Sequence, residues 1–152
     1  FEWNEIPLTK DIDPVDINFS IRDLTLKKPF LVNIGNPHII FFDDEIEKYD
    51  VESFGSLIEN DNLFPEKINV SFAKLKSDNH IVLNVWERGA GKTNACGTAA
   101  CATAVAGVEM GVIKNKVTVT LPGGDLEIYY KSSDNIIMTG PTEINFTDKY
   151  KL

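Results

Sequence analysis

Cys96 stands directly before Gly97-Thr98, where a run of small apolar residues begins that reads as a helix. At a helix start the free backbone N–H groups and the positive end of the dipole stabilise negative charge. A thiol placed there is expected to have a lowered pKa and to serve as a base or a nucleophile. The alternative is plain packing, since free cysteine is among the most buried residue types. Cys101 lies within the same run and points about 140° away from Cys96 at 3.6 residues per turn, which assigns it to the core. Five residues of helix hold the two Cα atoms more than roughly 7 Å apart, beyond disulfide reach, so both are expected to be free thiols. Free thiols suit a reducing compartment, and with His38 and His80 they lack the clustered spacing of a zinc site.

Other polar residues offer further chemistry. Gly89 and Gly91 with Lys92 form a glycine loop that resembles an anion cradle, although the Walker spacing is absent. His38 reads either as a hydrogen-bonded structural histidine or as a catalytic one, and Asn36 in the adjoining turn can present its amide to a ligand. Glu87-Arg88 is either a surface ion pair of small value or a carboxylate and a guanidinium set near a thiol. Asn69 beside Val70 reads as a cross-strand polar residue.

The elements that must hold these residues follow from the patterning. Residues 17–21 alternate loosely, Phe30–Ile34 reads as a strand closed by Gly35-Asn36-Pro37, and Ile39–Phe42 follows, placing His38 at a strand edge. Asp50 is a good N-cap for an amphipathic helix through Val51, Phe54, Leu57 and Ile58 that ends before Asn60. Ile68–Leu75 and Ile81–Trp86 flank the turn at Lys76–Asn79 as an antiparallel hairpin. The run after Cys96 is small and apolar on every face, the pattern of a helix buried all round, with Gly111 as its stop. Lys116–Leu121 and Asp125–Tyr130 alternate around Pro122-Gly123-Gly124, and Ile136–Met138 adds a last strand. The expected architecture is α+β: a curled, barrel-like mixed or antiparallel sheet wrapped around one central buried helix, plus a second amphipathic helix.

Composition bounds the rest. With 152 residues, 43% hydrophobic and 25% charged, the chain suits one globular domain over 1–152 with no internal boundary. A formal charge of −8 argues against nucleic acid and acidic lipid as partners, so an anionic ligand must be held locally by backbone amides or an arginine. The longest uncharged run, Ala95–Val108, is too short to span a bilayer, and no basic-then-apolar leader opens the chain, so the protein is expected to be soluble, with no membrane partner. The first residue, Phe1, leads us to expect that the natural chain extends upstream.

Taken in order, Gly35-Asn36-Pro37-His38, Phe64-Pro65 with Asn69-Val70, Trp86-Glu87-Arg88-Gly89-Ala90-Gly91, Ala95-Cys96-Gly97-Thr98, Leu121-Pro122-Gly123-Gly124 and Gly140-Pro141 resemble the C-terminal half of diaminopimelate epimerase, from Phe1-Glu2-Trp3 to about Phe146. The resemblance implies a cytoplasmic isomerase of lysine and cell-wall synthesis. It implies a reaction without cofactor or metal, converting LL-diaminopimelate to the meso form with two cysteines, one from each of two similar halves. Cys96 matches the second of that pair. Gly97 and Thr98 match residues whose amides meet the substrate α-carboxylate, and Asn36, Asn69, Glu87 and Arg88 match substrate-contacting positions. His38 and Glu87 match groups that tune the thiols, which of them tunes which being left open.

The other half of the family pattern is absent, and Cys101 does not replace its cysteine. The chain alone is therefore expected to be inactive, its partners being diaminopimelate, the missing half and, as the family allows, a second copy in a homodimer. Residues after about 140 are expected to belong with the missing half. Lys92 stands where the family usually has an acidic residue, which would lower the Cys96 pKa further, and Ala99 stands where glycine is frequent, a packing variation. Three other readings stay open: a proline or hydroxyproline racemase, a non-catalytic amino-acid-binding module, and a cysteine hydrolase with Cys96 as nucleophile and His38 as base.

Overall fold

The computed structural model describes residues 5–9, 17, 20–21, 24–26, 28–132, 135–143 and 147. The expectations for Phe1-Glu2-Trp3 and Phe146 fall outside these residues. In chain order the elements are β1 (Ser20–Ile21), β2 (Leu24–Thr25), β3 (Phe30–Asn33), β4 (Pro37–Phe42), a 3-10 turn (Ile46–Lys48), α1 (Val51–Glu59), β5 (Asn69–Ser77) and β6 (His80–Glu87). They continue with β7 (Gly91–Thr93), α2 (Gly97–Glu109), β8 (Lys116–Leu121), β9 (Gly124–Tyr129) and β10 (Ile137–Thr139). Among the described residues β1 and β2 form a two-stranded sheet, and the other strands form one eight-stranded sheet in the order β10-β9-β8-β6-β5-β4-β3, with β7 paired to β6 off that path. The pairs β4-β5 and β6-β8 are parallel and the rest antiparallel.

The expected α+β fold is present, and its curl has a simple cause. α2 touches β3, β4 and β5 from one end of the sheet and β8 and β9 from the other. Strands so far apart meet one helix only if the sheet bends around it, and the helix must be slim to permit this. Ala99–Gly107 is buried without interruption, and a Cβ on Gly107 would lie 2.8 Å from Ile113 Cδ1. The helix ends as expected at Gly111, whose φ is +70°. Gly111 N–H bonds to Val108 O at 2.9 Å and Val112 N–H to Gly107 O at 2.9 Å, the paired bonds of a Schellman stop.

α1 packs on the opposite face, against β5, β6 and β7. With both faces covered, Pro37–Phe41 and Asn69–Ala73 are unbroken buried runs in place of alternating ones. Ile39, Phe41, Val70 and Phe72 turn to the α1 side, while Val32, Ile40, Ala73, Leu83 and Val85 turn to α2. Asp50 caps α1 as expected, accepting from the Glu52 amide at 3.3 Å. Leu57, expected on the buried stripe, is 46% exposed. Gly55 faces the sheet because the Trp86 side chain occupies the space, and a Cβ on Gly55 would fall 2.4 Å from Trp86 Cβ.

His38 is not at a strand edge. It is the second residue of β4, opposite Val32 of β3 and Asn69 of β5, and is fully buried. The start of β5, the end of β6 and the start of β4 therefore share one end of the sheet, and the N-terminus of α2 opens there.

Candidate active site

Cys96 is the N-cap of α2, with extended backbone geometry (φ −147°, ψ 105°). Its carbonyl accepts the first helical bond from Ala100 N–H at 3.1 Å, and its sulfur accepts from the Ala99 N–H at 3.4 Å. Gly97 and Thr98 are the first two helical residues, so their amides have no intrahelical acceptor and aim the positive end of α2 outward. The turn after β8 fixes this start from behind. Gly123 N–H donates to Asn94 O at 2.7 Å, and a Cβ on Gly123 would sit 2.8 Å from that same oxygen, so only glycine fits.

A line of donors leads to the sulfur. His38 Nε2 lies 2.9 Å from Asn36 Oδ1; Asn36 Nδ2 donates to Thr98 Oγ1 at 3.4 Å; Thr98 Oγ1 is 3.5 Å from Cys96 Sγ. Because an amide oxygen only accepts, Nε2 carries the histidine proton and Nδ1 is bare. Burial, aided by the positive charge of Arg88, lowers the His38 pKa to about 4. His38 is thus a neutral residue that orients Asn36, and its ring does not bond to the sulfur as a cysteine hydrolase would require.

Glu87, the last residue of β6, lines the same cleft as Cys96. Asn69 holds the next residue in place: its Oδ1 accepts from the Arg88 N–H at 3.0 Å and its Nδ2 donates to Pro37 O at 2.8 Å. The Arg88 guanidinium donates to Glu66 O at 3.1 Å from an exposed position. The cleft measures about 550 Å³ and is walled by Ile34, Glu87, Cys96, Thr98, Cys101 and Met138, among others. The structure thus brings Asn36, His38, Asn69, Glu87, Arg88, Cys96, Gly97 and Thr98 to one end of the sheet.

Three expectations are corrected. The Cys96 pKa is raised, not lowered: burial outweighs the donors from Thr98 and Ala99, and the Glu87 carboxylate adds to the rise. Cys101 is buried in the core as expected and also borders the cleft, where burial and the neighbouring Cys96 raise its pKa too; both thiols are free, as expected. Lys92 helps lower the Asp50 carboxyl at the start of α1, and the Cys96 pKa stands above its ordinary value with Lys92 in place. The glycine loop is a tight hairpin between β6 and β7, with Gly89 and Gly91 at φ +77° and +86°, and the anion it holds is internal. Gly89 N–H donates to Glu59 Oε1 at 2.8 Å.

Glu59 escaped the sequence reading, as did the walls Ile34 and Met138. One signal was available for Glu59: an acid in the last turn of a helix is opposed by the dipole and needs donors from elsewhere.

A family model, "Diaminopimelate epimerase", matches residues 30–145. The chain belongs to the diaminopimelate epimerase family. It is 47% identical over 146 residues to the diaminopimelate epimerase of Erythrobacter litoralis, covering 96% of this chain and 54% of the relative. To that of Methylocella silvestris it is 47% identical over 147 residues, covering 93% and 51%. The chain therefore spans about half the length of the curated epimerases it matches. A solved phenazine biosynthesis protein of the PhzF family from Bacillus anthracis shares the fold, with TM-score 0.50 and 20% identity over 73% of this chain and 35% of that one. Among the described residues of this epimerase-family chain, no helix is long and apolar enough to cross a membrane.

Proposed function

We propose that this chain is one half of a cofactor-independent, two-base epimerase that converts LL-diaminopimelate to the meso form, and that Cys96 is its acid/base thiol. The setting of the Cys96 sulfur carries the reading. It lies in a half-buried cleft, with N–H and O–H donors from Ala99 and Thr98 on it and the Glu87 carboxylate beside it. Such a sulfur rests as a thiol yet has donors ready for the thiolate.

An α-proton is a weak acid, so its removal needs a base on one face of the carbon and a proton returned on the other. A thiolate from the complementary half takes the proton, and the carbanion takes the Cys96 proton from the opposite face. In the reverse direction the roles exchange. The amides of Gly97 and Thr98 at the start of α2 receive the α-carboxylate and stabilise the negative charge that develops next to it. Asn36 and Arg88 hold the substrate's polar groups, with Asn69 fixing the backbone at Arg88. Cys101 belongs to α2, the helix that Cys96 caps, and so is not the thiol that the complementary half brings to the other face of the carbon.

The comparisons are to diaminopimelate epimerases, which favours this substrate over proline. Proton NMR of LL-diaminopimelate in deuterated water tests the reading. The chain alone is expected to leave the α-proton signal intact, and the chain mixed with a half carrying the second cysteine is expected to erase it and form the meso isomer. Exchange by the chain alone, or none by a folded pair, would overturn it.

A further inference from the structure

The Glu59 carboxylate is 4% exposed, at the C-terminal end of α1, on the face of the sheet away from α2. Its Oε2 accepts from the Trp86 indole N–H at 2.7 Å, and its Oε1 accepts from the Gly89 N–H at 2.8 Å. Lys67 Nζ stands 3.7 Å from Oε1, carried there by a residue with φ of 60°. Burial works against the charge, but these donors prevail and hold the carboxyl below its ordinary range. The two residues between its backbone and indole partners are Glu87 and Arg88.

We infer that Glu59 is a positioning residue: its carboxylate staples Trp86 to Gly89 and so sets the Glu87-Arg88 turn against Cys96 from the far side of the sheet. Several features agree with a staple built for this turn. A buried carboxylate is costly unless its oxygens are satisfied, and here each oxygen meets a donor from opposite ends of one four-residue segment. The turn is tied at a second point, Arg88 N–H on Asn69 Oδ1, so its backbone is held between two side chains. Trp86 is itself seated on the bare surface of Gly55, leaving its indole N–H free to reach the end of the same helix. The carboxylate does not enter the cleft, whose walls include Glu87 but not Glu59. Its effect on the thiol must pass through Glu87.

This inference rests on the reading of Glu87 and Cys96 as an interacting pair, and the test separates the two. The pH dependence of iodoacetamide alkylation at Cys96 is followed in the full chain by peptide mapping, in wild type and in Glu59→Gln, Glu87→Gln and the double variant. Glu87→Gln is expected to move the Cys96 titration downward, and no shift there would overturn the paired reading itself. Glu59→Gln keeps the shape but replaces one acceptor with an NH2 that opposes the Gly89 N–H. It is expected to move the titration the same way by roughly half a unit to one unit, up to a tenfold change in thiolate fraction at fixed pH. The double variant is expected to match Glu87→Gln alone. An unshifted titration in Glu59→Gln, or a full additional shift in the double variant, would overturn the positioning role while leaving the pair intact. If Glu59→Gln does not fold, Trp86→Phe removes one donor and keeps the charge. A smaller downward shift is then expected, and none would overturn the inference.

Discussion

The Thr98 hydroxyl stands 3.5 Å from the Cys96 sulfur while accepting from Asn36 Nδ2 at 3.4 Å. The hydroxyl proton remains available to the sulfur when it is a thiolate, and the neutral His38 ring fixes the Asn36 amide that holds the hydroxyl in place. The arrangement favours the thiolate, against burial and Glu87, which favour the thiol.

Removing that hydroxyl should therefore raise the Cys96 pKa further. A hydrogen bond to a charged group contributes about 1.5–3 kcal/mol, so Thr98→Val is expected to slow alkylation of Cys96 at pH 8 by roughly tenfold or more. Alkylation rates with peptide mapping check this, and an unchanged rate would show that the hydroxyl points elsewhere.

His38 makes the fold acid-sensitive. Its folded pKa, about 4, lies below the ordinary 6.5, so below 6.5 the unfolded chain binds a proton that the folded chain refuses. The stability present above 6.5 is lost as pH falls toward 4, by about 3 kcal/mol in all. Urea unfolding at stepped pH should show this loss, and in His38→Asn the slope across that window should flatten.

Gly55→Ala tests the seat of Trp86. With a Cβ placed 2.4 Å from Trp86 Cβ, the indole must move, and overpacking of this kind costs about 1–3 kcal/mol. Thermal unfolding is expected to show that loss together with a change in tryptophan fluorescence. Unchanged stability would mean that the α1 contact is loose.

Much of this was legible in the residues themselves. The helix from Asp50, the hairpins and the all-buried α2 follow from caps, turn residues and periodicity, which are local signals. The site followed from the ordered motifs of the family resemblance, most of which fall at the end of a strand or helix. What stayed hidden depends on neighbours distant in sequence. The Cys96 environment is decided by Glu87 and by burial beneath the curled sheet, which overrule the helix start. The glycine loop has the composition of an anion cradle but is a hairpin turn, whose Gly89 amide meets the Glu59 carboxylate, 30 residues earlier in the chain. Leu57 fits a helical stripe, yet Gly55 takes the buried place because Trp86 arrives from another strand.

The proposed function assigns the exchange of the substrate α-proton to Cys96. The most direct measurement compares wild type with Cys96→Ala, each combined with the same complementary half, by proton NMR of LL-diaminopimelate in deuterated water. With Cys96→Ala, formation of the meso isomer is expected to fall below detection while the wild-type pair converts the substrate. Conversion by the Cys96→Ala pair at the wild-type rate would contradict the assignment of Cys96 as the acid/base thiol.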